Sequence, residues 1–153
     1  MKNSSDLKIQ LYQFCVDYIE KRIRTSQDAI KSSQASANDE SKSTAGDKHD
    51  TAKAMMHIEV EQYSKQLAEA QKIKEELSRV NISKVNSTVM LGSLVETNRG
   101  TYFISISAGK IEIEKKLYFA VSISSPFAQT IKGLKKGDKA KLHGSEIEIL
   151  DLV

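Results

Sequence analysis

The sequence predicts an α+β protein in which a long helical hairpin precedes a small antiparallel sheet with one short helix. The composition changes near residue 78. The chain before it has one glycine, Gly46, and no proline, whereas the remainder has six glycines and Pro126. Apolar residues recur every three or four positions before the change, and short β-branched runs follow it. We therefore predict a hairpin over residues 1–78 and a sheet domain over residues 79–153.

Apolar stripes define the predicted hairpin, because their steps of three and four residues are those of a heptad seam between paired helices. The larger apolar residues lie at the outer ends, and serine and alanine replace them toward the middle, which predicts a firm base and a thin tip. A polar segment joins the stripes, so the helices should run antiparallel. The stripes are Ile9, Tyr12, Val16, Ile19, Ile23 and Ile30, then Met56, Val60, Tyr63, Leu67, Ala70, Lys74 and Leu77. A flanking set, which predicts packing on a neighbouring domain, is Leu7, Leu11, Phe14 and Tyr18.

The second part of the chain contains five strand-like runs and one helix signal. The Ser-Pro pair at Ser125 is a helix-entry signal and glycines follow it, so we predict a short helix over residues 126–132 between two strands. Together these elements predict an antiparallel sheet with one helix packed against it. The strand-like runs cover residues 87–95, 100–107, 116–124, 139–144 and 146–152.

Acidic residues gather in the polar segment near residues 39–50, and two of them allow two interpretations. Asp47 and Asp50 are three residues apart after Gly46, a pattern close to a capping box at the start of a helix. The same spacing puts both carboxylates on one helix face, where they could share a divalent cation such as Mg²⁺. Two carboxylates alone bind Mg²⁺ weakly, so a partner would have to supply further ligands. The other acids of this segment are Asp39 and Glu40.

The remaining composition narrows the class of protein. The single cysteine, Cys15, excludes an internal disulfide and a cysteine-cluster zinc site, and its place in a helical repeat predicts a packed, inert side chain. The net charge of +3 is too small and too dispersed for a strong nucleic-acid signature. The chain shows neither a membrane span nor a signal peptide, so we expect a cytoplasmic protein. His49 is a weak candidate metal ligand between the two aspartates.

Two motifs, in this order of parts, resemble those of the bacterial Gre transcript-cleavage factors. Residues 125–138 resemble the family's Ser-Pro-x-(Ala/Gly) … Gly-Lys-x-x-Gly-Asp run, which leads into two closing strands. Residues 46–52 are similar to the family's tip pattern Gly-Asp-x-x-Glu-x-Ala, with aspartate in place of glutamate at Asp50. The resemblance covers most of the chain. The positions that match the first motif are Ser125, Pro126, Gly133, Gly137 and Asp138.

The resemblance implies an FKBP-like fold for residues 79–153 and a role on RNA polymerase. Gre factors dock this domain at the rim of the polymerase's secondary channel and insert the coiled-coil hairpin. Asp47 and Asp50 would be the tip acids that help hold a second Mg²⁺ and a water, with which the polymerase hydrolyses the 3′ end of backtracked RNA. The residues of the first motif would shape the docking domain. The chain would be a monomer and not itself an enzyme, would use Mg²⁺ only within the polymerase complex, and would contact nascent RNA indirectly.

Three alternatives stay open. Because Asp50 is one methylene shorter than glutamate, the chain could bind the same channel and regulate transcription without promoting cleavage. A prolyl isomerase would fit the FKBP-like resemblance, but such enzymes need an aromatic-lined pocket, usually with tryptophan, and this chain has no tryptophan. A structural or adaptor protein would use the hairpin seams for self-association.

Overall fold

The computed structural model describes residues 3–43 and 47–153, with side chains described for residues 3–38 and 50–153. Its element order confirms the α+β class, because two long helices precede a sheet that carries one short helix. The helices are α1 (Ser4–Ser43), α2 (Asp47–Ser78) and α3 (Pro126–Ile131). The strands are β1 (Leu94–Thr97), β2 (Gly100–Ser105), β3 (Gly109–Ile113), β4 (Lys116–Ser122), β5 (Lys139–Leu142) and β6 (Ser145–Leu152).

The chain divides into two compact units. The sheet unit contains the residues up to Tyr18 together with Glu75–Val153, and the hairpin unit contains Ile19–Lys74. The start of α1 and the end of α2 thus group with the sheet. The division at residue 78 that we expect from composition stays a prediction. No helix among the residues described combines the length and hydropathy needed to traverse a lipid bilayer.

Within the hairpin unit, α1 and α2 run antiparallel, as predicted. Lys74 Nζ lies 2.7 Å from Glu20 Oε1, and further along the pair Ala37 and Ala52 line the same small cavity. Large buried side chains such as Ile23 give way on α1 to buried Ser33 and Ala37. The predicted change from bulky to small residues along the seam is therefore confirmed for the described part of the hairpin. Lys74 is the exception on α2, because it is exposed and pairs with an acid rather than filling the seam.

The first turns of α1 bury a different stripe from the predicted one. Ile9 is 53% exposed and Phe14 is also exposed, whereas Lys8 is buried. The buried positions follow steps of three and four and continue into the seam as Lys8, Leu11, Cys15, Ile19 and Ile23. The prediction was wrong here because apolar residues occupy both sides of this segment, so periodicity alone does not select a face. The long apolar stem of lysine can also occupy a buried position.

The sheet has the order β3-β4-β2-β1-β6-β5 and is mixed, not wholly antiparallel. Strands β2 and β4 pair in parallel, with Phe103 opposite Ala120, whereas the other pairs are antiparallel. The reason is the β3–β4 hairpin, whose two turn residues Glu114 and Lys115 have positive φ angles of 49° and 65°. This tight turn sends β4 back between β3 and β2, so β4 runs in the direction of β2.

Two strand predictions were also wrong. Residues 87–93 are not a strand, since only Leu94 and the residues after it enter β1. Their backbone groups instead form hydrogen bonds with different segments of the sheet unit. Val89 N donates to Leu134 O, and Gly92 N donates to Ile104 O. Gly92 has a φ of +91°, and a Cβ there would lie 2.9 Å from Asn81 O. Conversely, β3 lay outside the predicted runs, although Ile111 and Ile113 alternate with charged residues.

Both faces of the sheet are covered within the sheet unit. On one face, Ala128 and Ile131 of α3 pack with Ile104, Ile147 and Ile149. On the other, Phe103 is fully buried, and Cys15 Sγ of α1 lies 3.7 Å from Ser105 Oγ. Cys15 is free and buried, as predicted, and burial raises the pKa of its thiol. The beginning of α1 is therefore part of the core of this unit.

The buried Lys8 connects α1 to the segment that leads from α2 into the sheet. It is 3% exposed, and its ammonium donates to the backbone carbonyl of Lys84 at 3.1 Å. Burial lowers the pKa of this ammonium, because a charged group loses hydration in the interior. Between this lowered pKa and the ordinary value of 10.5, the unfolded chain thus binds more protons at this site than the folded protein.

We predict that Lys8→Met weakens the dependence of stability on alkaline pH. In the wild type, the titration of Lys8 should increase the free energy of unfolding as the pH rises from the lowered pKa toward 10.5. The measurement is chemical denaturation of both proteins at several pH values from about pH 7 to about pH 10.5, the ordinary value. Lys110→Met, at an exposed position, is the control. An equal pH effect in the wild type and in Lys8→Met would contradict the prediction.

Candidate functional site

The first candidate site lies at the start of α2, where both predicted acids belong to the helix. Asp47 begins α2, and Asp50 follows three residues later with an exposed side chain. The side chain of Asp47 and the predicted acids Asp39 and Glu40 lie outside the described side chains, as does His49. Three residues of helix bring two positions to the same side. Asp50 therefore offers an accessible carboxylate one turn into the helix.

Asp50 suits a shared Mg²⁺ site better than a closed one. An exposed carboxylate supplies the hard oxygen that Mg²⁺ prefers, and exposure leaves it accessible to a partner's ligands. Within the described side chains, no three residues of the metal-binding types are grouped closely enough to hold an ion. A site at this position would need ligands from Asp47 and from another molecule. The capping interpretation of Asp47 stays open, because its side chain is not described.

The hairpin next to these acids has a narrow, loosely filled seam. Between α1 and α2 lies a cavity of about 180 Å³, lined by small residues such as Ser33 and Ala52 and by Met56. On the outer side, Met55 and Ile58 are exposed. Small seam residues give the helix pair a slim cross-section at this point, because interaxial distance depends on the side chains at the contact.

The second candidate site is the turn-rich segment over residues 125–138, where a side chain caps the helix. Ser125 is the N-cap of α3, and its Oγ accepts a hydrogen bond from Ala128 N at 3.2 Å. Pro126 occupies the first helical position, where its missing N–H costs nothing. Gly133 ends the helical segment with a φ of +82°, and its N–H donates to Val89 O at 2.8 Å.

The end of this segment is a second hydrogen-bonded turn. Asp138 Oδ2 accepts from Lys135 N at 2.8 Å, and Asp138 N donates to Lys135 O. Gly137 supplies the positive φ of +93° and donates to Ile149 O of β6. No neighbouring atom lies within 4 Å of a Cβ built at Gly137, so the backbone conformation and not lack of space requires glycine here. These motif residues shape the surface of the sheet unit, and their contact with a partner stays a prediction.

Three aromatic rings form a stack beside the Ser-Pro motif. Tyr102 lies between Phe127, at a centroid distance of 4.0 Å, and Phe119, at 5.4 Å. All three rings are half-buried, and burial raises the pKa of Tyr102. The sequence does not predict this stack, because strand spacing does not reveal that a ring of α3 completes it. Both contacts of the Tyr102 ring are therefore stacking contacts within the sheet unit.

We predict that Ser125→Ala lowers the free energy of unfolding by about 1 kcal/mol, because Ala128 N loses its capping acceptor. Chemical denaturation followed by circular dichroism measures the change. Ser124→Ala is the matched control, since the Ser124 hydroxyl is exposed and its recorded side-chain partner is the hydroxyl of Ser122. Equal losses in the two variants would show that the cap does not stabilise α3.

Comparison with known proteins adds a structural likeness. No family model matches the chain, and no curated protein matches it. The solved structure of the GreA factor homolog 1 (Gfh1) protein of Thermus thermophilus is similar over 99% of this chain and 96% of that chain. The sequence identity is 15% and the TM-score is 0.33. A likeness this weak leaves the function to be argued from the residues themselves.

Proposed function

We propose that this protein is a Gre-type transcription factor that binds RNA polymerase in its secondary channel and assists Mg²⁺-dependent cleavage of backtracked RNA. The observation that carries the proposal is the position of Asp47 and Asp50. They lie in the first turns of α2, which forms a slim antiparallel pair with α1. Such a pair can enter a channel and present carboxylates at its end. The motif over residues 125–138 supports the same family by resemblance.

In this proposal the chain supplies carboxylates and the polymerase performs the chemistry. Mg²⁺ bound in the polymerase complex would polarise the phosphodiester and activate a water. Asp50 is exposed, so its carboxylate can bind a Mg²⁺ ion of a partner without unfolding of the hairpin. Asp47 would act from the same side of the helix. The protein would be a cytoplasmic monomer without enzymatic activity of its own, and its contact with nascent RNA would be indirect.

A non-cleaving regulator of the same channel is the second candidate, and the length of Asp50 favours it. Its carboxylate lies one methylene closer to the helix than the glutamate of the family pattern. A fixed hairpin would then place it short of the reacting phosphate, and positioning errors of about 1 Å cost roughly 100-fold in rate. Polymerase binding without RNA shortening would select this candidate.

The adaptor alternative requires seams that are free to pair between chains. In the hairpin unit, α1 and α2 already pair with each other. Glu20 and Lys74 form a salt bridge between the two helices, and Ala37 and Ala52 line the same cavity between them. We therefore expect a monomer in analytical ultracentrifugation at micromolar concentrations. A concentration-dependent dimer would favour the adaptor instead.

The deciding experiment is a pull-down of RNA polymerase from extract of the native host with the tagged full chain. We expect the polymerase to be retained by the wild type. The double variant Ser125→Ala, Asp138→Ala should retain less, because it loosens the turns that shape the proposed docking surface. Ser124→Ala should retain as much as the wild type. Failure of the folded wild type to retain polymerase would overturn the proposal.

A further inference from the structure

The chain between α2 and β1 buries an amide and exposes the valine beside it. Asn86 is 4% exposed, whereas its neighbour Val85 is 79% exposed. The hydrophobic effect favours the opposite arrangement, because asparagine is usually found at the surface of a protein and valine in its interior. A buried amide costs free energy unless its polar atoms are hydrogen-bonded. The burial of Asn86 therefore needs a group that bonds to its side chain.

Neither polar atom of the Asn86 side chain has a hydrogen-bond partner among the described residues. Exchanging the positions of its oxygen and nitrogen would not help, because both atoms lack a partner. An asparagine amide has two N–H donors and an oxygen that accepts up to two hydrogen bonds. Buried side-chain amides generally satisfy this capacity through protein groups or ordered water. Asn86 thus has unused donors and an unused acceptor in the interior of the sheet unit.

The linking segment, which we define as residues 81–88, also lacks backbone pairing. Among the described residues, none of its backbone groups bonds to another backbone group. Side chains hold it instead. The Lys8 ammonium donates to Lys84 O at 3.1 Å, and Ser93 Oγ donates to Thr88 O at 3.4 Å. Unpaired backbone groups beside a buried amide are groups that an ordered water can bridge.

The two kinds of unused group on Asn86 select water as the ligand. An anion could accept from the N–H groups, but it could not satisfy the oxygen, which needs a donor. A cation could bind the oxygen but not the N–H groups, and the Lys8 ammonium already brings a positive charge to this segment. Lys84, which accepts from that ammonium, is two residues from Asn86, a span of at most about 7 Å. Water both donates and accepts, and a buried water typically makes about three hydrogen bonds.

We propose that Asn86 binds at least one internal water molecule, which connects its amide to backbone groups of the linking segment. The water takes the place of the backbone pairing that this segment lacks. It therefore stabilises the path of the chain between α2 and β1. The site does not rest on the proposed function.

Nuclear magnetic resonance of the isotope-labelled full chain tests the proposal. We expect a nuclear Overhauser contact between water and the Nδ2 protons of Asn86, with the sign of a water that tumbles with the protein. Asn81 is the matched control, because it is an exposed asparagine of the same segment. Its side-chain amide should not show a contact of this sign, since water at an exposed group exchanges rapidly. No such contact at Asn86 would overturn the proposal.

A substitution tests whether the water also stabilises the segment. Asn86→Leu, which is close in volume but apolar, should raise the equilibrium constant for unfolding about fivefold or more, because the water and the backbone groups lose their amide partner. Ser87→Leu, at the exposed neighbouring position, should change this constant by less than about twofold. A rise in Asn86→Leu no larger than that in Ser87→Leu would also overturn the proposal, since removal of a dry, unpaired amide is neutral or stabilising. If Asn86→Leu does not fold, the contact in the wild type decides alone.

Discussion

Replacing Asp47 and Asp50 by asparagine should abolish the shortening of RNA in a backtracked elongation complex, at least about 100-fold in rate. The amide has nearly the shape of the carboxylate but lacks its charge, so the variant should still enter the channel while losing the hard anionic oxygens that Mg²⁺ prefers. The measurement follows the RNA 3′ end on a sequencing gel, with polymerase, Mg²⁺ and either the wild type or the variant.

Asp28→Asn controls for loss of negative charge on the hairpin. Asp28 is an exposed acid of α1 within the same unit as Asp50, and its replacement should leave the cleavage rate unchanged. Cleavage that persists in the Asp47, Asp50 variant would exclude these residues as the source of the carboxylates. Polymerase binding without cleavage by the wild type would instead select the regulator, which the shorter Asp50 side chain already favours.

Replacing Phe103 by alanine should lower the free energy of unfolding by about 3–5 kcal/mol. Phe103 is fully buried on β2, opposite Leu94 of β1 and Ala120 of β4. Removing the ring leaves a cavity that these strands cannot close without breaking their pairing. Because natural domains are stable by only about 5–15 kcal/mol, this single change should remove a large part of the total.

Guanidinium denaturation measures this loss, with an unchanged m-value as the sign that both proteins unfold in the same way. Phe103→Leu should cost much less, because leucine fills part of the space. Leu117→Ala, on an exposed position of β4, should change the stability by less than about 1 kcal/mol. A loss below about 1 kcal/mol in Phe103→Ala would mean that the sheet is not packed as described.

Periodicity predicted the fold where one face of an element is clearly apolar. Along α2, the buried Ala70 and Leu77 lie on the predicted seam. In β6, Ile147 and Ile149 are buried between exposed or half-exposed acids, as alternation predicts. The short helix was predicted over residues 126–132 and forms over Pro126–Ile131, because a Ser-Pro entry and a following glycine limit where a helix can begin and end.

Periodicity failed where position in the sheet decides conformation. In β3, Lys110 and Glu112 alternate with isoleucines, but the segment is short. It forms an edge strand of the sheet, a position that its own sequence does not indicate. The parallel pairing of β2 with β4 depends on where β4 is inserted, which only the whole topology fixes. At the start of α1, two apolar sides competed, and packing selected the side with Lys8 over the side with Ile9.

The candidate sites divide in the same way. Local motifs predicted that Asp47 and Asp50 lie at a helix start and that Ser125 begins a helix. The structural roles of Gly137 and Asp138 could be recognised only in the folded turn, since their hydrogen-bond partners are Ile149 and Lys135 respectively. The space that Asp6 and Glu114 both line was not predictable, because the two residues are far apart in sequence and only the fold of the sheet unit brings them together.

The sheet unit is built from both ends of the chain, and this has a consequence for synthesis on the ribosome. Leu11 and Cys15 emerge early, but the strands that cover them follow only after the whole hairpin has been translated. Until then a nascent chain exposes these side chains to chaperones or to other chains. A fragment that starts at residue 79 would meet the opposite problem, since the face around Phe103 and Ser105 would remain uncovered. Genetic fusions should therefore keep the first eighteen residues joined to the rest.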